Sequence, residues 1–319
     1  MTAGGAESDG QPTTRHFSFI GVTTQKSAIM RVFPAWARHL GLAGADIVGY
    51  DFPLHAEPQR YREVVEHIRD SPAEAGGLVT THKIDLFQAC RDIFDFIDPY
   101  AELCGEVSSL SKRDGQFRAH AKDPISSGRS IDEFVPEGYW GQSGAQALLF
   151  GAGGSNLAIT VHLLSVRGPE DRPSRVVVVN RSPGRLEAMR SVHRRLGVDG
   201  LVEYVHNADA SHNDALVSGA PPGSLVVNGT GMGKDSPGSP ITGAATFPEK
   251  ALVWELNYRG ELDFLHQARD QQAERQLLVV DGWRYFVHGW TCVVEEVFGV
   301  EMTPALVDEL ASIAESVRN

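Results

Sequence analysis

The sequence predicts an α/β protein with two domains, the second built on a Rossmann-type, doubly wound parallel sheet. A chain of 319 residues exceeds what one hydrophobic core usually supports, and 42% hydrophobic and 22% charged residues are typical of globular proteins. Short apolar runs alternate with helical patterns along the chain, which favours strands joined by crossover helices. A glycine-rich turn at Gly151 joins one such run to a helical segment.

The first half of the chain has the predicted order strand, helix, strand, helix, strand. Val32, Phe33 and Trp36 share one side of a helical pattern, as expected for a helix packed on a sheet. This order predicts a mostly parallel sheet, and Asp114-Gly115 marks the turn of a hairpin. The strands are predicted at 17–22, 46–51, 77–80 and within 105–117, and the helices at 30–40, at 61–68 and after Lys83.

The second half repeats this alternation, and its short Val- and Leu-rich runs are typical of strands buried on both faces. The stretch from Trp283 onward predicts helices that pack back on the first domain. Further strands are predicted at 145–150, 175–179, 224–230 and 251–257. The predicted organisation is a disordered tail over 1–16, a first domain over 17–127, a Rossmann domain over 128–280 and returning C-terminal helices over 281–319.

The net charge restricts the partners that we expect for this protein, and the cysteines indicate its compartment. A formal net charge of −12 argues against nucleic acid or anionic lipid as partners. The three cysteines are widely spaced with no metal-ligand pattern, so we expect a reducing, cytoplasmic location and no structural metal. No apolar run is long enough to span a bilayer. We therefore expect a small-molecule ligand and a monomer or homodimer.

The strongest local pattern is the glycine-rich turn between a strand and a helix. Absent side chains let the backbone approach a pyrophosphate at the positive end of the helix. Asn156 replaces the third glycine of the usual fingerprint, but strand, helix and second strand lie where a dinucleotide site needs them. The alternative is a tight turn without a ligand. The predicted contacts are Gly151, Ala152, Gly153, Gly154 and Ser155.

The residues after the second strand indicate which dinucleotide binds. An NAD site usually places Asp or Glu there to bind the ribose hydroxyls. This chain has Asn180, Arg181 and Ser182, followed by Arg185. Two guanidinium groups and a hydroxyl suit a dianionic 2′-phosphate, and no carboxylate is present to repel it. The pattern predicts NADP; the alternative is a pair of surface arginines on a solvated helix.

In the first domain, Lys83 and Asp123 are the candidate catalytic groups. Lys83 ends a predicted strand and opens a helix, where the helix dipole and partial burial favour the neutral amine. Such a lysine can accept a hydroxyl proton as a hydride leaves the same carbon. Asp123 can orient the lysine and hold a substrate hydroxyl. From the residues alone, the surface-charge interpretation is the stronger one for each, and spacing does not show that the two side chains pair.

Together these motifs resemble the shikimate dehydrogenase family, which includes quinate and aminoshikimate relatives. The resemblance covers residues 17–299. GAGGSNLAI is similar to the family's glycine-rich turn, and NRSPGR is close to its NADP-reading segment. VVNGTGMG, residues 226–233, resembles the strand and loop on the nicotinamide side, and DGWRYFVHGW resembles the start of the C-terminal helix that closes the substrate pocket.

The resemblance implies that the N-terminal domain binds a hydroxylated cyclohexene carboxylate and the Rossmann domain binds NADP. The match of LVTTHK places Lys83 on the family's catalytic lysine, and RAHAKD places Asp123 on its catalytic aspartate. Asn228 and Thr230 fall on the cofactor side. The implied substrate-binding residues are Ser27, Thr80, Ser108, Lys122 and Tyr258.

Departures from the family pattern concentrate at the substrate side. The second serine of the family's Ser-x-Ser pair is Ile29, and the glutamine of its C-terminal helix is Gly289. Several lost hydrogen bonds would weaken shikimate binding, since each contributes roughly 0.5–1.5 kcal/mol. We therefore predict retained chemistry on an altered substrate: an NADP-dependent alcohol dehydrogenase or ketone reductase acting on a small polar, cyclic, carboxylated compound.

Three alternatives remain open from the sequence. The first is a true shikimate or quinate dehydrogenase with substitute contacts, for which Lys122 and Lys26 offer cations. The second is a non-catalytic NADP(H)-binding sensor, in which Lys83 and Asp123 would be dispensable. The third, a methyltransferase, would more often carry an acidic residue where this chain has Asn180 and Arg181.

Overall fold

The computed structural model describes residues 15–42 and 44–318, and these form two compact units. Unit 1 holds the described residues up to Ala121 and from Val293 onward, and unit 2 runs from Lys122 to Cys292. The predicted boundaries at 127/128 and 280/281 lie several residues from these divisions. Residues 1–14 of the predicted tail lie outside the described residues, whereas Arg15 and His16 pair in register with a neighbouring strand and open the first strand.

Unit 1 alternates strands and helices, as predicted. Its helices lie close to the predicted positions, because the apolar stripe of each helix is buried against the sheet. The described elements up to Ala121 are β1 (Arg15–Gly21), α1 (Ile29–His39), β2 (Ala45–Asp51), α2 (Pro58–Asp70), β3 (Glu74–Val79), α3 (Lys83–Cys90), β4 (Phe96–Ile97), α4 (Pro99–Cys104), β5 (Ser109–Arg113) and β6 (Gln116–His120).

The described strands of unit 1 form one sheet in the order β2-β1-β3-β5-β6-β4. β1 pairs in parallel with β2 and β3, since helices cross over between them. β5 and β6 form the predicted hairpin, so the sheet is mixed rather than purely parallel. Asp114 and Gly115 have φ of 55° and 72°, the left-handed values that a two-residue hairpin turn requires.

The C-terminal residues complete a core on one face of this sheet. Phe33 lies 4.9 Å from Phe17 and 5.9 Å from Phe298, ring centroid to ring centroid. The buried Trp36 donates its indole N–H to the carbonyl of Leu310 at 2.8 Å. Residues near both ends of the chain therefore share one core.

Unit 2 carries a second alternation of strands and helices. The described elements that follow are α5 (Asp123–Asp132), α6 (Tyr139–Ser143), β7 (Ala147–Phe150), α7 (Gly154–Val161), β8 (Val176–Asn180), α8 (Pro183–Arg195), β9 (Val202–His206), α9 (Ala210–Ser218), β10 (Leu225–Asn228), β11 (Leu252–Glu255), α10 (Asp263–Arg275) and β12 (Leu278–Val280). Helix α11 (Trp283–Phe298) contains the division between the units, and α12 (Pro304–Ser316) belongs to unit 1.

The sheet of unit 2 has the order β12-β11-β10-β7-β8-β9 among the described strands, and every pairing is parallel. Strand order reverses between β7 and β10, which creates the switch point where doubly wound sheets bind ligands. Side chains alternate between two cores: Leu149 and Val178 pack in one, and Phe150 and Val177 in the other. Burial on both faces explains the continuous apolar runs.

Two features differ from the sequence prediction: the crossing segment and the edge strands of unit 2. The crossing segment 128–144 contains the end of α5 and all of α6. Strands β9 and β12 were not predicted: both are sheet-edge strands with partly exposed residues, β9 is interrupted by polar residues, and β12 is only three residues long. Within the described residues, no helix combines the length and apolar character needed to cross a membrane.

Candidate active site

The glycine-rich turn lies at the switch point, between the end of β7 and the first residue of α7. Gly151 has a φ of 104°, and a Cβ there would lie 2.7 Å from the carbonyl oxygen of Gly229. A Cβ on Gly153 would meet nothing within 4 Å. The first glycine is therefore required by the fold, whereas the second leaves open space beside the helix N-terminus, where a phosphate can approach the backbone.

Asn156, at the position of the missing third glycine, ties this turn together. Its side chain is fully buried, and its amide nitrogen donates to the carbonyls of Phe150 and Gly151, both at 2.8 Å. A Cβ on Gly229 would lie 2.6 Å from the Asn156 side chain, so a glycine is needed opposite it. The departure from the fingerprint thus strengthens the turn locally.

The turn opens on a cavity of ≈ 340 Å³ within unit 2, a volume in the range of small-molecule sites. Three strand ends contribute to its wall: β7, β8 and β10. Eight of the predicted cofactor residues line it: Gly151, Ala152, Gly153, Asn180, Arg181, Ser182, Arg185 and Thr230. Gly154 and Ser155 instead begin α7, and Asn228 is fully buried behind the cavity wall.

Arg181 and Arg185 give the cavity wall its positive charge. Both residues are exposed, and within the described part of the chain neither guanidinium has an ion pair or a hydrogen bond. Ser182 caps α8 by accepting a hydrogen bond from the backbone N–H of Arg185 at 3.4 Å. Asp and Glu are absent from the residues that line the cavity. The wall therefore offers cations and N–H groups to an anionic ligand.

Sequence reasoning missed the part of the wall that follows β9. Asn207 and Ala208 line the cavity, and the backbone N–H of Asn207 donates to the carbonyl of Asn180 at 3.1 Å. Recognising the run VEYVH as an edge strand would have placed both residues at the same edge of the sheet. Met232, Ser239 and Pro240 come from the loop after β10, where no sequence pattern indicates their position.

In unit 1, three predicted substrate residues lie near the edge of the sheet where β1 and β3 end and the antiparallel β5 begins. Thr80 follows β3 and donates its backbone N–H to Ile20 of β1 at 2.9 Å, and Val79 donates to the carbonyl of Ser108 at 2.9 Å. Ser27 ends a short turn that begins at Thr24. The backbone N–H of Thr24 donates to Oδ1 of Asp51, at the end of β2, at 2.8 Å. Ser108 is buried, and its hydroxyl donates to the carbonyl of His120 at 3.4 Å.

Lys83 begins α3 at this same edge and is half-buried. Its carbonyl accepts a hydrogen bond from Val107 at 3.2 Å. Thr81 has a φ of 57°, which β-branched residues rarely adopt. The buried His82 lies beside the Tyr61 hydroxyl at 2.9 Å, and burial lowers the pKa of its imidazole. The segment before Lys83 is therefore held in a strained conformation, as is common at functional sites.

The remaining predicted groups belong to unit 2. Lys122 occupies the cap position of α5, Asp123 is the first residue of that helix, and both are half-buried. Tyr258 follows β11, with its ring centroid 5.6 Å from Trp283 and 4.8 Å from Phe286. The tyrosine is thus positioned by the first turn of α11, the segment that the resemblance assigns to the substrate side.

Other reactive side chains near these elements have structural partners. His288 lies 2.7 Å from Glu133, and His120 lies 3.2 Å from Glu296, nitrogen to carboxylate oxygen. Burial raises the pKa of the Cys90 thiol to about 12, so the nucleophilic thiolate does not form at neutral pH. These residues are explained by packing and ion pairing.

The fold and cavity place the chain among two-unit α/β proteins with a Rossmann-type domain. No family model matches it. It is 24% identical to the shikimate dehydrogenase (NADP(+)) of Lactococcus lactis subsp. cremoris (strain MG1363) over 221 residues, covering 69% of this chain and 72% of the relative. It is 27% identical to that of Methylobacterium radiotolerans over 263 residues, covering 81% and 85%. The chain is thus similar, at low identity, to shikimate dehydrogenases over most of its length.

Solved structures show the same fold. A shikimate dehydrogenase in complex with NADP⁺ superposes with a TM-score of 0.74 at 18% identity, covering 99% of this chain and 100% of the other. The 5-ketofructose reductase of Gluconobacter sp. strain CHM43 has a TM-score of 0.71 at 17% identity, covering 96% and 100%. Proteins that share this fold therefore include enzymes named for different substrates.

Proposed function

We propose that this protein is an NADP-dependent oxidoreductase that interconverts a secondary alcohol and a ketone on a small, polar, cyclic carboxylated substrate. One observation carries the proposal: a glycine-turn cavity whose lining includes Arg181 and Arg185 and lacks a carboxylate. That combination suits a 2′-phosphate and disfavours the ribose diol of NAD. The curated relatives are NADP-dependent shikimate dehydrogenases by name, which supports the same cofactor.

The cavity fits this dinucleotide. The open space beside Gly153 would admit a pyrophosphate to the N-terminus of α7, and Arg181 and Arg185 would hold the 2′-phosphate. Thr230 and Met232 also line the cavity. When bound, NADP⁺ supplies the hydride acceptor, and NADPH supplies the hydride in the reverse direction.

The proton of the reacting hydroxyl is assigned to Lys83. Oxidation removes a hydride from carbon and a proton from oxygen, and the proton goes to the lysine Nζ; reduction returns it. The site at the carboxyl edge of β3 and the strained segment before the lysine support this role. Asp123 is assigned as its partner and as a ligand of a substrate hydroxyl, on the strength of the family match.

The substrate is proposed to differ from shikimate. Ile29, which replaces the family's second serine, is fully buried in α1 and supplies no hydroxyl. Ser27, Thr80, Lys122 and Tyr258 remain as polar contacts. A true shikimate or quinate dehydrogenase with substitute contacts is the alternative, and the retained hydroxyls of Ser27 and Thr80 favour it.

Fluorescence titration with NADPH and NADH tests the cofactor, followed by NADP-coupled absorbance with shikimate, quinate and aminoshikimate. We expect tight NADPH binding, weak NADH binding and no turnover of these acids at any concentration. Turnover that disappears in Lys83→Ala would establish the alternative. A wild-type protein that binds neither nucleotide would refute the proposal.

Matched variants test whether Arg181 and Arg185 bind the 2′-phosphate. Arg181→Ala with Arg185→Ala removes two charged contacts and is expected to weaken NADPH binding by at least tenfold while leaving NADH binding unchanged, since each such contact contributes about 1.5–3 kcal/mol. Arg194→Ala, on the same helix but outside the cavity wall, is the control. Equal loss for both nucleotides would show that the arginines do not read the 2′-phosphate.

We also propose a cytoplasmic monomer or homodimer without nucleic acid or membrane partners. The net charge of −12 and the three free cysteines support this. Light scattering after size-exclusion chromatography measures the mass directly, and a species larger than twice 34.7 kDa would contradict it.

A further inference from the structure

We propose that Glu255 is a positioning residue that holds the cofactor-facing loop 230–232 through a closed ring of hydrogen bonds. The inference rests on the proposed function, because this loop lines the cavity assigned to NADP. Glu255 is fully buried at the end of β11 and does not itself line the cavity. It acts on the cofactor site through other residues.

The first arm of the ring runs through Asn228. Asn228 and Glu255 are register partners at the ends of β10 and β11. The Asn228 side-chain amide donates to Oε2 of Glu255 at 2.7 Å. Its Oδ1 accepts from the backbone N–H of Thr230 at 3.1 Å and from the Thr230 hydroxyl at 2.7 Å. The Thr230 hydroxyl in turn accepts from the backbone N–H of Met232 at 3.1 Å.

The second arm runs through Asn257 and returns to the same loop. The backbone N–H of Asn257 donates to Oε1 of Glu255 at 2.7 Å. The Asn257 side-chain amide donates to the carbonyl of Met232 at 3.0 Å. Both oxygens of one carboxylate are thus used to fix both ends of a three-residue segment, and two of its residues, Thr230 and Met232, face the cavity.

The ring needs an ionised carboxylate. Each oxygen of Glu255 faces an N–H donor, so a carboxylic acid proton would have no acceptor in the ring. The ionised form also orients Asn228: its nitrogen faces Glu255, and its oxygen therefore faces Thr230. A rotated Asn228 would place its amide donors against the Thr230 N–H and break the first arm.

The charge state of this ring changes near neutral pH. Burial raises the pKa of Glu255 to about 7, against the lowering effects of the hydrogen bonds from Asn257 and Asn228 and of the Lys234 charge. Lys234 is paired with Asp235 at 3.0 Å. Above this pH the loop is held by the ionised ring, and below it the first arm is released.

The test compares NADPH dissociation constants of wild type and Glu255→Gln from pH 5.5 to 8.5. Glutamine keeps the size but turns one oxygen into a donor, so we expect about tenfold weaker binding at pH 8.5, the effect of one lost hydrogen bond. At pH 5.5 the ratio of the two NADPH dissociation constants, Glu255→Gln over wild type, should approach one, since Glu255 of the wild type is then protonated. Titration of the NADPH 2′-phosphate affects both proteins equally and cancels in the ratio.

Two further variants complete the experiment. Glu249→Gln, an exposed carboxylate before β11, should leave the ratio at one at every pH. Asn257→Ala cuts the second arm but keeps the carboxylate, so it should weaken binding while the pH dependence persists. If Glu255→Gln does not fold, Asn257→Ala provides the test: NADPH binding at pH 8.5 that is as tight as in the wild type would overturn the inference.

A ratio for Glu255→Gln that is one, or that does not vary with pH, would overturn this inference while leaving NADPH binding by the wild type intact. Wild-type protein that binds no NADPH would instead refute the proposed function. The two failures are therefore distinguishable in one data set.

Discussion

At the scale of single residues, the cofactor turn separates fold requirements from ligand requirements. Gly151 and Gly153 both belong to the glycine pattern, but only the first has a left-handed φ and a backbone atom in the path of a Cβ. Asn156 shows the converse, since a residue that breaks the pattern supports the turn by two hydrogen bonds. Two glycines of the same motif are thus needed for different physical reasons.

We predict that Gly151→Ala destabilises the protein by about 1–3 kcal/mol, the usual effect of an unfavourable backbone conformation combined with a close contact. Gly153→Ala, whose Cβ meets nothing in the protein, should keep the unfolding free energy and weaken NADPH binding instead. Urea denaturation and NADPH titration measure the two effects. Equal unfolding midpoints for Gly151→Ala and wild type would show that the turn relaxes freely.

At the scale of elements, an ion-pair cluster joins α5 to the first turns of α11 within unit 2. Glu133 follows α5 and accepts hydrogen bonds from Arg284 and from His288, the latter at 2.7 Å. Burial raises the pKa of Glu133, but the hydrogen bonds and charges of His288 and Arg284 outweigh this effect and lower it to about 2. The cluster thereby fixes the helix segment against which Tyr258 packs.

We predict that Glu133→Gln lowers the unfolding free energy at pH 7 by about 1 kcal/mol, a modest value because the pair is partly exposed and screened. The folded-state pKa lies below the unfolded one, so the stabilisation is present above about pH 4.5 and is lost as the pH falls toward 2. Thermal unfolding of both proteins across this range measures it. The exposed Glu137→Gln is the control, and a difference that grows on acidification would contradict the assignment.

At the scale of the whole molecule, the two units differ in chain continuity. Unit 2 is one continuous segment with a complete parallel sheet among its described strands. Unit 1 needs both ends of the chain, because Phe17, Phe33 and Trp36 complete their packing with Phe298 and Leu310. Long-range closure of this kind adds an entropic cost that the continuous unit avoids.

We predict that a fragment of residues 122–292 folds cooperatively and binds NADPH, whereas a fragment of residues 1–121 remains unfolded. Adding a peptide of residues 293–319 should restore structure to the second fragment. Circular dichroism melts and NADPH titration are the measurements. Cooperative unfolding of residues 1–121 alone would show that the C-terminal helices are dispensable for unit 1.

The sequence alone determined the two-domain α/β class, the hairpin at Asp114, the glycine turn and the arginines after β8. These features are local: each depends on residues within one turn or one apolar period, where the side chain dictates the backbone. The assignments of Lys83 and Asp123 came from similarity to a family and stay predictions. The edge strands β9 and β12 were not predicted, because the apolar pattern of β9 is interrupted and that of β12 is very short.

Only the tertiary structure decided which of these residues come together around the cavity. Asn207 lies across from Arg181 because parallel strands end at one edge of the sheet. Glu255 meets Asn228 because β10 and β11 pair in register, although 27 residues separate them. The burial that raises the pKa of that carboxyl arises from packing on every side, which no local pattern contains. Contacts between distant segments depend on register and packing, and these exist only once the chain has folded.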